Sequence, residues 1–246
     1  AFDPARPDSF PPRLCAVFPH PDDEAWGAGG LLARAVAHGS VVTLVTLSAG
    51  EAGRDHRTGL RGAALATARA VELREAAAAL GIARVRVCDL PDGNITLESA
   101  ISQVSDILDD TCPEAFVTFD RDGGYPHRDH TTVVRAVEAV AARGDAVVFG
   151  AAFTRDLLKP LRDAFVARRP ELLDEAWASR SLGREHFDLE LDLTPTEARM
   201  KRAALLAHRT QLRRPGDAGA DAFLGPGVFP ALCRRERYVL LGPESA

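Results

Sequence analysis

The chain has 246 residues, 46% of them apolar, and a formal net charge of −5. That length suits one sizeable α/β domain with a small appended part, and no apolar run approaches membrane-spanning length. The acidic balance excludes a nucleic-acid binder held by phosphate contacts, and the N-terminal stretch has no basic segment leading into a signal-type hydrophobic run, so a cytoplasmic protein is expected.

Residues 14–18 form a short apolar run ending at Pro19, the pattern of a strand buried on both faces. A helix follows, opening through Gly27, Ala28, Gly29 and Gly30 and closed by Gly39. Residues 41–47 are strongly β-branched and predict a second core strand. Residues 48–60 are a polar, glycine-punctuated loop, and 61–80 an Ala-rich helix stopped by Gly81. A third strand is expected over 85–90, a turn over 91–94, and a helix over 96–111 with Thr96 as its N-cap. Residues 115–119 predict a fourth strand, 127–143 a helix and 146–153 a fifth strand. Repeated β-then-α steps imply a Rossmann-like, mostly parallel sheet with helices on both faces.

Beyond residue 155 the alternation stops. Residues 187–193 alternate with period two, as a half-exposed strand does. Thr194, Pro195 and Glu197 form the start of a capped helix, residues 213–230 a Pro/Gly-rich loop, and 237–241 a last short strand. The expected organisation is a catalytic core over 1–155 and a small C-terminal α+β extension over 156–246 packing on it. The cysteines, Cys15, Cys88, Cys112 and Cys233, show no CxxC pairing and read as reduced, structural thiols.

In such a sheet, ligands bind at the carboxyl ends of the strands. His20 to Glu24 follow the first strand, residues 48–54 the second, 91–94 the third and 123–130 the fourth, so all four polar loops share one rim. Hydrolysis of an unactivated amide needs a metal with about three protein ligands and an open position, a base for the water and a donor for the oxyanion or leaving amine. His20 and Asp23 lie three apart, close enough to grip one ion, which leaves Asp22 near the metal as a base. His127 and His130 fall on one face of their helix, so one can bind metal while the other faces the substrate carbonyl.

Each residue also has a plainer use. Asp22 or Asp23 could cap a helix. His38, His56, His186 and His208 stand alone and read as surface or structural residues. Glycines 27, 29 and 30 suggest a dinucleotide fingerprint, but they follow the strand too late and carboxylates fill the intervening turn. Close helix–sheet packing explains them better.

Residues 19–24, Pro-His-Pro-Asp-Asp-Glu, and residues 127–130, His-Arg-Asp-His, together resemble the PIG-L/LmbE-type zinc-dependent de-N-acetylases, marked by (A/P)HPDDE and a later HxDH. Arg69, Glu72, Leu73 and Ala76 match that family's RxxELxxA helix. Residues 201–211, with His208, resemble its C-terminal helix, and 234–238 its closing strand. Proline 19 stands where alanine is common. The resemblance implies a zinc site of His20, Asp23 and His130, with iron(II) or cobalt able to take the same ligands. It implies Asp22 as general base, His127 as oxyanion or leaving-group donor, Asp129 tuning it, and Tyr125 near the substrate carbonyl. Glu51, Arg69 and Asp92 match positions that contact the sugar. The expected activity is removal of acetyl from an N-acetylglucosamine-type glycoside, a small-molecule amino-sugar substrate. The alternatives are amide cleavage in a larger thiol or antibiotic conjugate and a non-catalytic metal- or sugar-binding module.

Overall fold

Five apolar runs become five parallel strands. The computed structural model of the chain describes residues 10–125, 127–159, 183–212 and 228–242. Strands β1 (Arg13–Phe18), β2 (Val41–Thr46), β3 (Arg84–Val87), β4 (Ala115–Phe119) and β5 (Val147–Ala151) lie in the order β3-β2-β1-β4-β5. Every pair among them is parallel. β4 is buried throughout and β1 and β2 from their second residue on, as the unbroken apolar runs require. The assigned β3 ends three residues earlier than the sequence suggests, although the amides of Cys88 and Leu90 still donate to Thr46 and Leu47.

Helices α1 (Asp23–Ala37), α2 (Gly62–Ala79), α3 (Leu97–Thr111) and α4 (Arg128–Ala141) make the crossovers. α3 packs on α4, while α1 and α2 pack on α5 (Pro195–Ala207), as helices on opposite faces of a doubly wound sheet do. Thr96 caps α3 through Ser99 N, and Thr194 and Glu197 close the capping box of α5.

The C-terminal part does not build a sheet of its own. β7 (Arg235–Leu241) runs antiparallel beside β5, and β6 (Leu189–Asp192) antiparallel beside β7, so both extend the core sheet. A 3-10 turn (Arg209–Gln211) follows α5, and a short helix α6 (Val228–Leu232) precedes β7. The loop expected over 213–230 is therefore helical from residue 228, and its residues 213–227 lie outside those described. Cys15 and Cys88 are buried, and all four thiols are free. Among the described residues no helix is long and apolar enough to cross a membrane.

The strand order reverses at β1, whose neighbours are β2 and β4. The crevice at that switch point opens between the loops after β1 and β4. Those loops carry His20 to Glu24 and Tyr125 to His130.

Candidate active site

The first loop is shaped by its own backbone. Asp22 occupies the N-cap position of α1 with φ 119°, in the left-handed region that non-glycine residues rarely adopt, and its side chain makes no capping bond. The capping use of Asp22 is thus not taken up, and its carboxylate is free for other work. Its side chain remains a third exposed (34%) to the cleft, 3.3 Å from Arg69 Nη2. Burial pushes its pKa up to about 6, against the pull of Arg69.

His130 is fully buried on the first turn of α4, stacked on Phe119 at 4.6 Å. Its Nδ1 lies 2.8 Å from Gly123 O; a carbonyl can only accept, so Nδ1 carries the proton and Nε2 keeps a lone pair. That Nε2 is buried, has no hydrogen-bond partner among the described residues and sits 3.5 Å from Asp23 Oδ1. Burial lowers the His130 pKa to about 4, so the ring is neutral, as a metal ligand must be.

Asp23 joins His130 to His20. Its Oδ2 accepts the His20 backbone N–H at 2.9 Å and lies 3.3 Å from His20 Nδ1. Burial would raise its pKa, but His130 and His20 outweigh that and hold it at about 2. On the other edge of the His20 ring, Nε2 meets Asp92 Oδ1 at 3.0 Å and Asp129 Oδ2 at 3.3 Å. Burial alone would push His20 down; hydrogen bonds to Asp129, Asp23 and Asp92 raise its pKa well above the usual histidine value.

Two groups of donor atoms come together, each within 4.8 Å: the rings of His20, His127 and His130, and His20 with Asp92 and Asp129. The orphaned Nε2 of His130, with the His127 and His20 rings and the Asp23 carboxylate around it, fits a divalent cation that accepts nitrogen and oxygen ligands and takes the place of the His20 proton.

His127 is the N-cap of α4, and its Nδ1 accepts Asp129 N–H at 3.2 Å. The proton of the neutral ring is therefore on Nε2, and burial lowers the pKa to favour that neutral form. The Asp129 carboxylate bonds to His20, Gly93 N (2.7 Å) and Ile95 N (3.3 Å), and its charge acts on His127 from there, raising that ring's pKa against burial. Asp92 likewise turns both oxygens to the protein, Oδ1 to His20 and Oδ2 to Ala52 N (2.9 Å). Glu51 reaches the site through Asp92, whose N–H its Oε1 accepts at 2.8 Å. Arg69 donates to Gly50 O (3.0 Å) and Pro21 O (2.5 Å), tying together the loops after β1 and β2.

A cavity of about 210 Å³ opens over these groups, lined by His20, Asp22, Arg69, Asp92, Tyr125 and His127 among others. It is smaller than the roughly 300–1,000 Å³ that encloses a drug-sized ligand, so it admits the reacting end of a substrate. Tyr125 stacks on Trp26 at 5.9 Å and meets His130 edge-on at 4.5 Å.

Sequence reasoning placed several further residues in its motifs but gave them no role here. Gln211 lines the cavity. Buried Glu24 accepts Asp22 N–H at 2.9 Å and pairs with His208 Nε2 at 2.6 Å. Burial disfavours a charged His208, but Glu24 raises its pKa. Fully buried Lys201 pairs with Glu236 at 2.5 Å. No local signal marks the charged ones as buried: Glu24 follows two aspartates, Lys201 stands beside Arg202, and Glu236 lies between Arg235 and Arg237. The glycines of α1 answer to close packing, though largely against the C-terminal part. A Cβ on Gly27 would press on Phe119, one on Gly29 on Lys201, and one on Gly30 would overlap Leu193.

Residues 15–141 match the PIG-L family model, described as GlcNAc-PI de-N-acetylase. The 1D-myo-inositol 2-acetamido-2-deoxy-alpha-D-glucopyranoside deacetylase of Saccharomonospora viridis is 31% identical over 268 residues, covering 93% of this chain and 95% of that protein. Its namesake from Mycobacterium sp. (strain KMS) is 30% identical, covering 96% and 86%. Among solved structures, the N,N'-diacetylchitobiose deacetylase of Pyrococcus horikoshii superposes with a TM-score of 0.68 at 20% identity, covering 99% of this chain and 91% of that one. A zinc-inhibited form of a teicoplanin deacetylase gives 0.63 at 16%, covering 95% and 100%. A 4-carboxy-2-hydroxymuconate hydratase from Pseudomonas putida gives 0.61 at 18%, covering 95% and 98%. The fold thus serves more than one reaction, and the family match with its near full-length relatives decides between them. The chain belongs to the PIG-L family of de-N-acetylases and is an N-deacetylase, a hydrolase of amide bonds.

Proposed function

We propose that the protein removes the acetyl group from an N-acetylglucosamine-type glycoside, with one zinc ion held by His20, Asp23 and His130. The observation that carries this reading is the buried, neutral His130 ring with its Nε2 lone pair unpartnered beside Asp23. Bound zinc supplies Lewis acidity, lowering the pKa of a water and polarising the acetyl carbonyl.

Asp22 is the general base. A carboxylate raised to about 6 by burial is ionised at neutral pH yet basic enough to accept the water's proton. The same proton is the one that the leaving nitrogen needs, so Asp22 can return it as the C–N bond breaks, giving acetate and a free amine. His127 Nε2–H donates to the carbonyl oxygen as it becomes anionic, a role that suits a neutral ring whose Nδ1 is occupied by Asp129 N–H. Tyr125 walls the cavity beside both histidines. Arg69 holds Asp22 and lines the same cavity, open to a sugar hydroxyl.

The substrate class rests on relatives that are named for deacetylating an inositol-linked N-acetylglucosaminide and that align along nearly the whole chain. An inositol or a second sugar is then the group outside the cavity. Asp22→Ala is expected to abolish nearly all acetate release from a panel of N-acetylglucosaminides with different aglycones, while bound zinc stays at one equivalent by elemental analysis. Full activity in that variant would remove Asp22 as the base. Release from a bulky amide conjugate but from no glycoside would remove the substrate class.

A further inference from the structure

Asp22 is held in an unfavourable backbone conformation, and its surroundings show what holds it. A non-glycine residue with φ near 119° is strained and persists only where its neighbours over-determine it. Three contacts do so. Its carbonyl accepts the N–H of Ala25 and Trp26, each at 3.1 Å, and its carboxylate faces Arg69. Its own N–H donates to Glu24 Oε2 at 2.9 Å.

Glu24 is not a solvated first-turn acid that merely complements the helix dipole. It is completely buried, and both carboxylate oxygens are engaged, Oε2 by Asp22 N–H and Oε1 by His208 Nε2 at 2.6 Å. His208 is also buried (2% exposed) and lies at the C-cap of α5, 184 residues further along the chain. Without a partner, a carboxylate at this depth would be destabilised or would move toward water, releasing the Asp22 amide.

We propose that His208 is a positioning residue for the deacetylation, acting through Glu24 to fix the backbone of Asp22 and so the direction of its carboxylate. It touches neither substrate nor metal. The proposal rests on the reading of Asp22 as general base, and it assigns to the C-terminal helix a part in the chemistry at the far end of the sheet.

A double-mutant cycle on the zinc-loaded enzyme tests it, with kcat, KM and zinc affinity measured for His208→Ala, Asp22→Asn and the double variant. His208→Ala is expected to lower kcat by about 10–100-fold, the usual effect of removing an orienting partner. KM and zinc affinity should stay within about threefold of the parent. In the Asp22→Asn background the same substitution should change kcat by less than about twofold, because the carboxylate it positions is gone. A purely structural histidine would instead give multiplying losses, or kcat unchanged by His208→Ala, and either result overturns the proposal. Asp22→Asn with full activity would sink the base assignment itself, a failure separately visible in the single variant. Should His208→Ala fail to fold, Glu24→Gln carries the same cycle, with coupled losses expected and multiplying losses overturning it.

Discussion

At its first turn α1 brings carboxylates against histidine rings, and halfway along it meets a buried lysine–glutamate pair; the two places treat charge in opposite ways. In the middle both charged groups are answered. Lys201 Nζ donates to Glu236 and to Trp26 O (2.9 Å), and Glu236 also accepts Gly30 N–H (2.6 Å), Leu31 N–H (2.7 Å) and Tyr238 O–H (2.7 Å). In a regular helix Gly30 N–H points to Trp26 O, so this ion pair spans one rung of the α1 ladder. At the front, polar atoms are left over. His130 Nε2, Arg69 Nε and His208 Nδ1 are buried without hydrogen-bond partners among the described residues. A fully satisfied buried charge network fixes a frame, whereas an unsatisfied one is waiting for a ligand. The contrast separates the part of α1 that holds the molecule together from the part to which we assign the chemistry.

The largest expected effect attacks the front. His130→Ala removes the lone pair that has no other use, so zinc content should drop well below one equivalent. Turnover should fall by at least about a thousandfold, close to 4 kcal/mol of transition-state stabilisation. Elemental analysis and acetate release report this directly, and a variant retaining a full equivalent of tightly bound metal would break the contrast. Next comes the frame. Lys201→Met leaves the Glu236 carboxylate buried without its counter-charge, a change that destabilises by about 3–5 kcal/mol. Denaturant unfolding should show that loss while the folded fraction binds zinc as the parent does. Lost zinc affinity in the folded fraction would mean that the two regions are not separate.

How far all this could be read from the chain differs between the same two regions. The front is dense in sequence: His20, Asp22 and Asp23 fall within four residues, and His127 to His130 within four more, each just after an apolar run. Parallel-sheet topology then brings the two segments to one crevice. Local signals also held elsewhere, in the Thr194–Glu197 capping box and the glycine stops after α1 and α2. The pairings that reach from α1 to the C-terminal part, in the frame and at the front alike, have no such density. Lys201 and Glu236 are 35 positions apart and Glu24 and His208 are 184 apart, so no periodicity or spacing connects them. Their pairing depends on how α5 and β7 return to α1, which is a tertiary fact. Hydrogen-bond direction was equally hidden. Asp129 lies two positions from His127, yet on the first turn of α4 its carboxylate meets His20 and only its N–H meets His127.

The smallest expected effect probes the boundary itself. α5 serves both regions, carrying Lys201 in its middle and ending at His208. Its start is pinned at the surface, where Thr194 Oγ1 accepts Glu197 N–H (3.3 Å) and Glu197 in turn accepts Thr194 N–H (2.8 Å) and pairs with Arg34 of α1. Thr194→Ala deletes one half of that box and nothing near the metal. Loss of such a cap is worth about 1 kcal/mol, or roughly 2–4 °C in melting temperature for a chain of this size. If the frame and the site are distinct, kcat and zinc affinity will be unchanged, because fraying of the first turn dissipates before it reaches Lys201. A fall in kcat beyond the folded fraction would show that α5 transmits motion along its whole length to His208, and the frame would then be part of the catalytic apparatus.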